Sequence, residues 1–183
     1  MEASDEELML AYAGGDVGAF ESLYAKHKGA LFRFVLRSMK ARGEAEELFQ
    51  DVWMKVIEAR ERYTPQAKFT TWLYTIAHHR LVDHWRARGL TVVSLDDEEK
   101  TVNEVAADPG AEPPRVLEAR QTLDRLSAAL AALPLAQREA FLLHHEGGLG
   151  IAEIAAATGS PVEAAKSRLR YAMNKLREAI GDD

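Results

Sequence analysis

The densest set of side chains suited to a polyanion lies in residues 69–88, FTTWLYTIAHHRLVDHWRAR. It holds two tryptophans, one tyrosine, three histidines, three arginines and a single acid. Aromatic faces stack on unpaired bases and arginines hold phosphates, so this mixture suits opened, single-stranded nucleic acid. The same Trp and Leu spacing also describes a plain core helix with a solvated basic end. A second basic island, 161–177, sets Lys166, Arg168, Arg170, Lys175 and Arg177 against the single acid Glu163. A third constellation has metal-binding chemistry: His79 and Asp83 are i, i+4 neighbours on one helix face, with His84 beside them. It lacks the His-Glu-x-x-His pattern and a second carboxylate cluster at ligand spacing, and His144 and His145 are adjacent, so they diverge on a helix. No cofactor and no catalytic or metal site is expected.

The elements that must position these groups are helical throughout. Ser4 and Glu7 have capping-box spacing, ahead of an apolar face of Leu8, Ala11 and Tyr12. Gly14-Gly15 ends that helix, and Asp16 caps a second in which Phe20, Leu23, Tyr24, Leu31, Phe34 and Val35 are the buried side. Arg42-Gly43 reads as a break. A third helix over 44–60 turns Leu48, Phe49, Val52, Trp53 and Val56 inward, while Glu46, Glu47, Gln50 and Asp51 crowd another side. Residues 63–66 form a loop around Pro65. In the aromatic helix Phe69, Leu73, Ile76, Ala77 and Arg80 share one side. Thr71, His78, His79, Val82 and Arg86 fall elsewhere and are left to meet a polyanion. No period-2 strand or internal repeat is evident.

Residues 89–114 hold SLDDEEK, Asp108-Pro109-Gly110 and Pro113-Pro114, the composition of an acidic linker between independently moving domains. Beyond it, Val116, Leu123, Leu126, Leu130 and Leu133 line one helix. Pro134 opens another, with Ala140, Phe141 and Leu143 inward, and Gly147-Gly148 ends it. A short helix over 151–158, a tight turn at Gly159 and a long final helix give the helix-turn-helix pattern. Ser160, Pro161 and Glu163 have the spacing of N-cap, first helical residue and capping-box acid for that last helix. Its inner stripe is Val162, Ala165, Leu169, Met173 and Leu176, with Ser167, Arg168, Tyr171 and Lys175 opposite and Lys166 and Arg170 flanking. Such a helix places polar groups against base edges in the major groove.

Composition narrows the classes. The 183 residues suit one large or two small domains, and 47% apolar content can form packed cores. The absence of cysteine excludes disulfides and thiolate zinc sites and fits a reducing cytoplasm. No run of about 18 apolar residues predicts a membrane span, and the acidic start MEASDEEL lacks the signal-peptide pattern. The net charge of −6 is unevenly spread. Residues 1–26 carry −5 and 91–118 carry −6, whereas 68–90 carry +3 and 161–177 carry +4. The basic islands suit DNA; the acidic segments suit a basic protein surface.

Taken in order, GDVGAFESLY, AEELFQDVWMKV, FTTWLYTIAHHRLVDHWR, LAALPLAQREAFLL and IAEIAAATGSPVEAAKSRLRYAMNKLR cover almost the whole chain. As a set they resemble bacterial sigma factors of the extracytoplasmic-function (ECF) group. The resemblance implies an all-α protein with a region 2 domain over 1–88, a flexible acidic linker over 89–114 and a region 4 domain over 115–183. It implies a non-enzymatic, cytoplasmic subunit that binds core RNA polymerase, at the clamp helices of the largest subunit and at the flap. That subunit would direct initiation at promoter DNA for a stress or envelope-response regulon, and an anti-sigma factor would be a further partner. Glu47, Gln50 and Asp51 match the family's polymerase contacts. Residues 64–68 and the following helix match the part that opens the −10 element and captures a flipped base, with Lys68, Phe69, His79, Arg80 and Arg86 as its DNA-binding residues. Lys166, Ser167, Arg168, Arg170 and Tyr171 match the reader of the −35 element. The chain departs from the family at His79, where Asn is frequent, and at Ala165, where a bulkier aliphatic is frequent; the first bears on −10 base preference, the second on the tilt of the reading helix. A stand-alone helix-turn-helix regulator is the alternative, and it leaves the first ninety residues without a task.

Overall fold

The computed structural model describes residues 2–89 and 113–181, and within them every regular element is a helix. Most of the linker expectation falls on residues 90–112, outside the described residues. Helix α1 (Asp5–Ala13) starts at the Ser4 cap: the Ser4 hydroxyl accepts from Glu7 N at 3.2 Å, and Ser4 N donates to the Glu7 carboxylate at 2.8 Å. Its fully buried residue is Met9, which the sequence pattern passed over. Asp16 caps α2 (Val17–Ser38) through Ala19 N.

Helix α3 spans Arg42–Ala59, so the expected break at Arg42-Gly43 lies one turn too late; the chain turns at residues 39–41. Gly43 sits in the first turn, where helix propensity weighs little. A short 3-10 turn (Arg60–Arg62) and a loop lead into α4 (Phe69–Ala87). Leu23, Leu31, Phe34, Leu48, Val52, Val56, Phe69, Leu73 and Leu81 build the core of this four-helix unit. Each such side chain contributes roughly 1.5–3 kcal/mol by burial.

The second unit comprises α5 (Pro114–Ala132), α6 (Leu135–His145), α7 (Ile151–Thr158) and α8 (Val162–Ile180). Here α8 packs against α5, α6 and α7. The apolar stripe assigned to α5 is only half used: Leu126, Leu130 and Leu133 pack on Ala172 and Leu176, while Val116 and Leu123 are exposed. In α8, Ala165, Leu169, Ala172 and Leu176 are the buried residues, and Val162 is exposed. The predicted Ser160 cap does not form. The Ser160 hydroxyl meets that of Thr158 at 2.9 Å, its N–H closes α7 on Ala155 O at 3.1 Å, and Pro161 takes the N-cap position of α8. Ser160 thus serves the end of α7, together with Gly159, whose φ of 64° is the left-handed cap that favours glycine.

The two units touch over a broad contact, α4 lying on α7 and α2 on α6. One continuous core cluster runs from Met9 in α1 to Leu169 in α8. Domains expected to move independently therefore share buried surface.

Candidate nucleic-acid interface

Three surfaces carry the predicted site residues. On α3, Glu47, Gln50 and Asp51 are all exposed, at the i, i+3, i+4 spacing of one face, opposite the buried Leu48, Val52 and Val56. A cleft of about 400 Å³ separates this face from the end of α4, where Arg80, Asp83, His84 and Arg88 stand opposite Glu44, Glu47 and Asp51. Arg88 pairs with Glu44. His84 Nε2 lies 3.8 Å from Glu44, but burial lowers the imidazole's pKa and favours its neutral form, so this is a polar contact rather than an ion pair. Asp83 is held by Arg80 at 3.1 Å, and no group of three His, Asp or Glu converges among the described residues.

On α4 the predicted DNA-binding residues divide. His79 and Arg86 are exposed, and Arg80 is partly so. Lys68 is exposed at the helix entrance, with its ammonium 3.0 Å from Glu153 of α7. Phe69 is a correction: it is 0% exposed, packed between His27, Tyr63 and Trp72, and cannot stack on a base. Its N–H donates to Glu6 of α1 at 2.6 Å, so Phe69 anchors the start of α4 to the core. The aromatic face that remains accessible is Trp72, half-buried against Tyr63 at 4.9 Å between centroids. Trp72 and His79 share a cleft of about 230 Å³ with Lys55, Arg62, Ile76 and Arg80. Lys55 and Arg62 were missed from sequence because they lie on α3 and the 3-10 turn, outside the basic island. Of the residues expected to face a polyanion, Thr71 is buried and His78 faces the second unit, its Nδ1 2.6 Å from Glu139.

On α8, Lys166, Arg170 and Tyr171 are exposed, and Ser167 and Arg168 are half-buried beside them. Lys166 and Arg170 lie one turn apart, as do Ser167 and Tyr171, and the Arg170 guanidinium sits 5.3 Å from the Tyr171 ring centre. The buried Ala165, Leu169 and Ala172 fix the opposite side of the helix on α6 and α7. This is a rigid helix presenting basic and hydroxyl groups outward, as major-groove reading requires.

The chain matches the Sigma-70 region 2 family over residues 23–91 and the Sigma-70 region 4 family over residues 123–176. The ECF RNA polymerase sigma factor SigF of Caulobacter vibrioides is 34% identical over 175 residues, 94% of this chain and 92% of that protein. The chain belongs to the ECF sigma factors of RNA polymerase. The ECF sigma factor RpoE of Cereibacter sphaeroides is 32% identical over 89% of this chain and 87% of its own length. Among solved structures, the sigma factor RpoE of Bartonella quintana, crystallised with the anti-sigma factor NepR, is 26% identical with a TM-score of 0.68, covering 90% of this chain and 98% of that one. The region 2 match thus takes in α3 and α4, with their acidic and aromatic surfaces, and the region 4 match takes in the helix-turn-helix. Among the described residues no helix is long and apolar enough to cross a membrane.

Proposed function

We propose that this sigma factor binds core RNA polymerase through the exposed α3 face of Glu47, Gln50 and Asp51 and reads promoter DNA with two separate surfaces. Trp72, His79, Arg80 and Arg86, with Lys68 at the helix entrance, act on the opened −10 element. Lys166, Ser167, Arg168, Arg170 and Tyr171 on α8 act on the duplex −35 element. The observation that carries this reading is the pairing of an aromatic–basic cleft on one unit with a basic, outward-facing helix on the other. Stacking rewards unpaired bases, and a rigid helix rewards the closed major groove. Residues 1–88 and 115–183 act as the two working domains. The protein works in the cytoplasm, catalyses no reaction itself, and serves a stress or envelope-response regulon under the control of an anti-sigma factor.

Transcription with purified core polymerase and fragments of the source genome tests this directly. Discrete transcripts that require the protein are expected. Promoter binding in the absence of polymerase, with no effect on core-dependent transcription, would instead point to a stand-alone regulator.

A further inference from the structure

The cleft beside Trp72 is built from two facing stripes. Lys55, Glu58 and Arg62 stand at i, i+3 and i+7 along the end of α3 and the 3-10 turn. Trp72, Ile76, His79 and Arg80 stand at i, i+4, i+7 and i+8 on α4. Trp72 and Ile76 give the cleft an apolar surface, and Tyr63 braces the Trp72 ring edge-on at 4.9 Å between centroids. The charged groups and the imidazole form its rim. Such a site takes the face of an unpaired base on the ring and turns the base's edge toward the rim.

One member of the rim does not suit phosphate. Glu58 is the single acid lining this cleft among the described residues. Its Oε2 accepts from Lys55 Nζ at 2.7 Å, its side chain stays 53% exposed, and its Oε1 accepts no hydrogen bond among the described residues. The Lys55 hydrogen bond, helped by the charges of Lys55, Arg62 and Arg80, holds the carboxyl below the usual range, so it is ionised at neutral pH. A carboxylate repels phosphate and offsets a cation, which reduces what counterion release can gain. It only accepts hydrogen bonds. In a DNA strand lying in the cleft its partner must therefore be an N–H, and DNA carries N–H groups only on base edges.

We propose that Glu58 is a specificity-determining residue of this cleft, selecting an unpaired base that carries an exocyclic amine, with Lys55 as its partner in the readout. The inference rests on the −10 reading above and adds to it two residues which that reading does not contain. The amine of cytosine, adenine or guanine donates to Oε1 of Glu58. Each of these bases sets a ring-nitrogen acceptor next to its amine. The Lys55 ammonium has three donors, spends one on Oε2 of Glu58 and can offer another to that nitrogen. Thymine has no amine. Its one N–H lies between two carbonyl oxygens, so a carboxylate approaching that edge meets partial negative charge on both sides. The Trp72 ring stacks on any base, so stacking supplies affinity and Glu58 supplies the choice. On an open helix surface a Lys–Glu pair at i, i+3 would be ordinary solvated charge; here it stands across a cleft from an accessible ring.

The test uses the full chain bound to core polymerase and four labelled single-stranded probes, read by fluorescence anisotropy. One probe is an oligothymidylate; in the others one central thymine is replaced by cytosine, adenine or guanine. The wild type should bind at least one amine-bearing probe about 5- to 150-fold more tightly than oligothymidylate. Glu58→Gln keeps the shape but presents an amide that donates as well as accepts, and should bring the four affinities together. Glu58→Ala should do the same without weakening the oligothymidylate, and should steepen the salt dependence by about 0.7, because Lys55 is released to phosphate. Both changes are at an exposed position and leave the core intact. Glu61→Gln removes a neighbouring charge from outside the cleft, where the side chain is 75% exposed, and should leave the preference as it is. Trp72→Ala should weaken all four probes alike. A wild type that binds the four equally overturns the selection, as do Glu58 variants that shift all four by one factor. If Trp72→Ala weakens every probe while the Glu58 variants keep the wild-type preference, the −10 reading stands and the role of Glu58 falls. If Trp72→Ala changes nothing, the −10 reading falls and the selection with it.

Discussion

Phe69 and Trp72 stand three residues apart in the same aromatic run, and the fold gives them opposite tasks. Phe69 is 0% exposed and touches aromatic rings on three sides, with centroids at 5.3 Å to His27, 6.5 Å to Tyr63 and 5.8 Å to Trp72. Phe69→Ala removes a whole ring from a packed site, a change that costs about 3–5 kcal/mol. It also removes the ring contacts that brace the loop before α4, and such pairs contribute about 0.5–1.5 kcal/mol each. Domain stabilities are about 5–15 kcal/mol, so this single change should consume a large share of the total. Trp72 is half-buried and lines the cleft beside His79, so Trp72→Ala should cost much less stability. It should instead weaken capture of an unpaired base by about 1–3 kcal/mol, roughly 5- to 150-fold. The assay is urea unfolding followed by circular dichroism, run beside binding of a single-stranded −10 oligonucleotide to polymerase holoenzyme. A Phe69→Ala protein within about 1 kcal/mol of wild type that has nonetheless lost oligonucleotide binding would refute the reasoning, because Phe69 would then have to reach DNA.

Other outcomes follow from the same geometry. Glu47→Arg with Asp51→Arg should weaken binding to core polymerase in a titration while leaving the unfolding midpoint unchanged, since exposed charges contribute at most about 1 kcal/mol to stability. Arg168→Ala should lower the salt slope of promoter binding by about one and weaken all promoters alike, whereas Lys166→Ala and Arg170→Ala should change base preference in the −35 element by about 1–3 kcal/mol. His79→Ala should preserve closed-complex footprints and slow the appearance of permanganate-reactive thymines. Burial of Asp5 pushes its carboxyl up, but Lys26 at 2.7 Å and His27 at 2.8 Å outweigh it and leave the pKa below 3.8. A depressed carboxylate stabilises the fold above its unfolded pKa and loses that contribution as pH falls through the folded value. Thermal melts should therefore show α1 loosening below about pH 4, and Asp5→Asn should remove that acid-range dependence.

Periodicity and capping chemistry made the helices legible because both act locally. Ser4 with Glu7, Asp16, and Gly159 at φ 64° work within a few residues of where they stand in the sequence. The misplacements share one cause, which is competition from a partner that sequence does not display. Ser160 has the spacing of a cap for α8, but its N–H and hydroxyl are taken by α7. Val116 and Leu123 continue an apolar stripe and yet are exposed, while Leu126 and Leu130 of the same stripe pack beside Ala172 and Leu176 of α8. The aromatic run hid its own division for the same reason. A ring packed against His27 of α2 and Tyr63 of the preceding loop and a ring left at a cleft edge have the same composition.

The charged groups were legible as islands but not as pairs. Lys68 read as a free cation and His78 as a surface group because their partners Glu153 and Glu139 lie more than sixty residues away in the chain, in a domain judged separate by its linker. Linker composition reports how a connection behaves when the domains it joins do not touch, and the units here meet at Tyr74 and through Glu139, Glu146 and Glu153, which face His78, Arg33, Arg37 and Lys68. Net charge counted along the sequence therefore separates surfaces that the fold brings together. The +3 of residues 68–90 counts Lys68 among its four cations, and the fold sets Glu153 of α7 3.0 Å from that ammonium. A basic island counted along the sequence is therefore an upper bound on the cations available to phosphate, since each carboxylate the fold brings within pairing distance reduces what counterion release can gain.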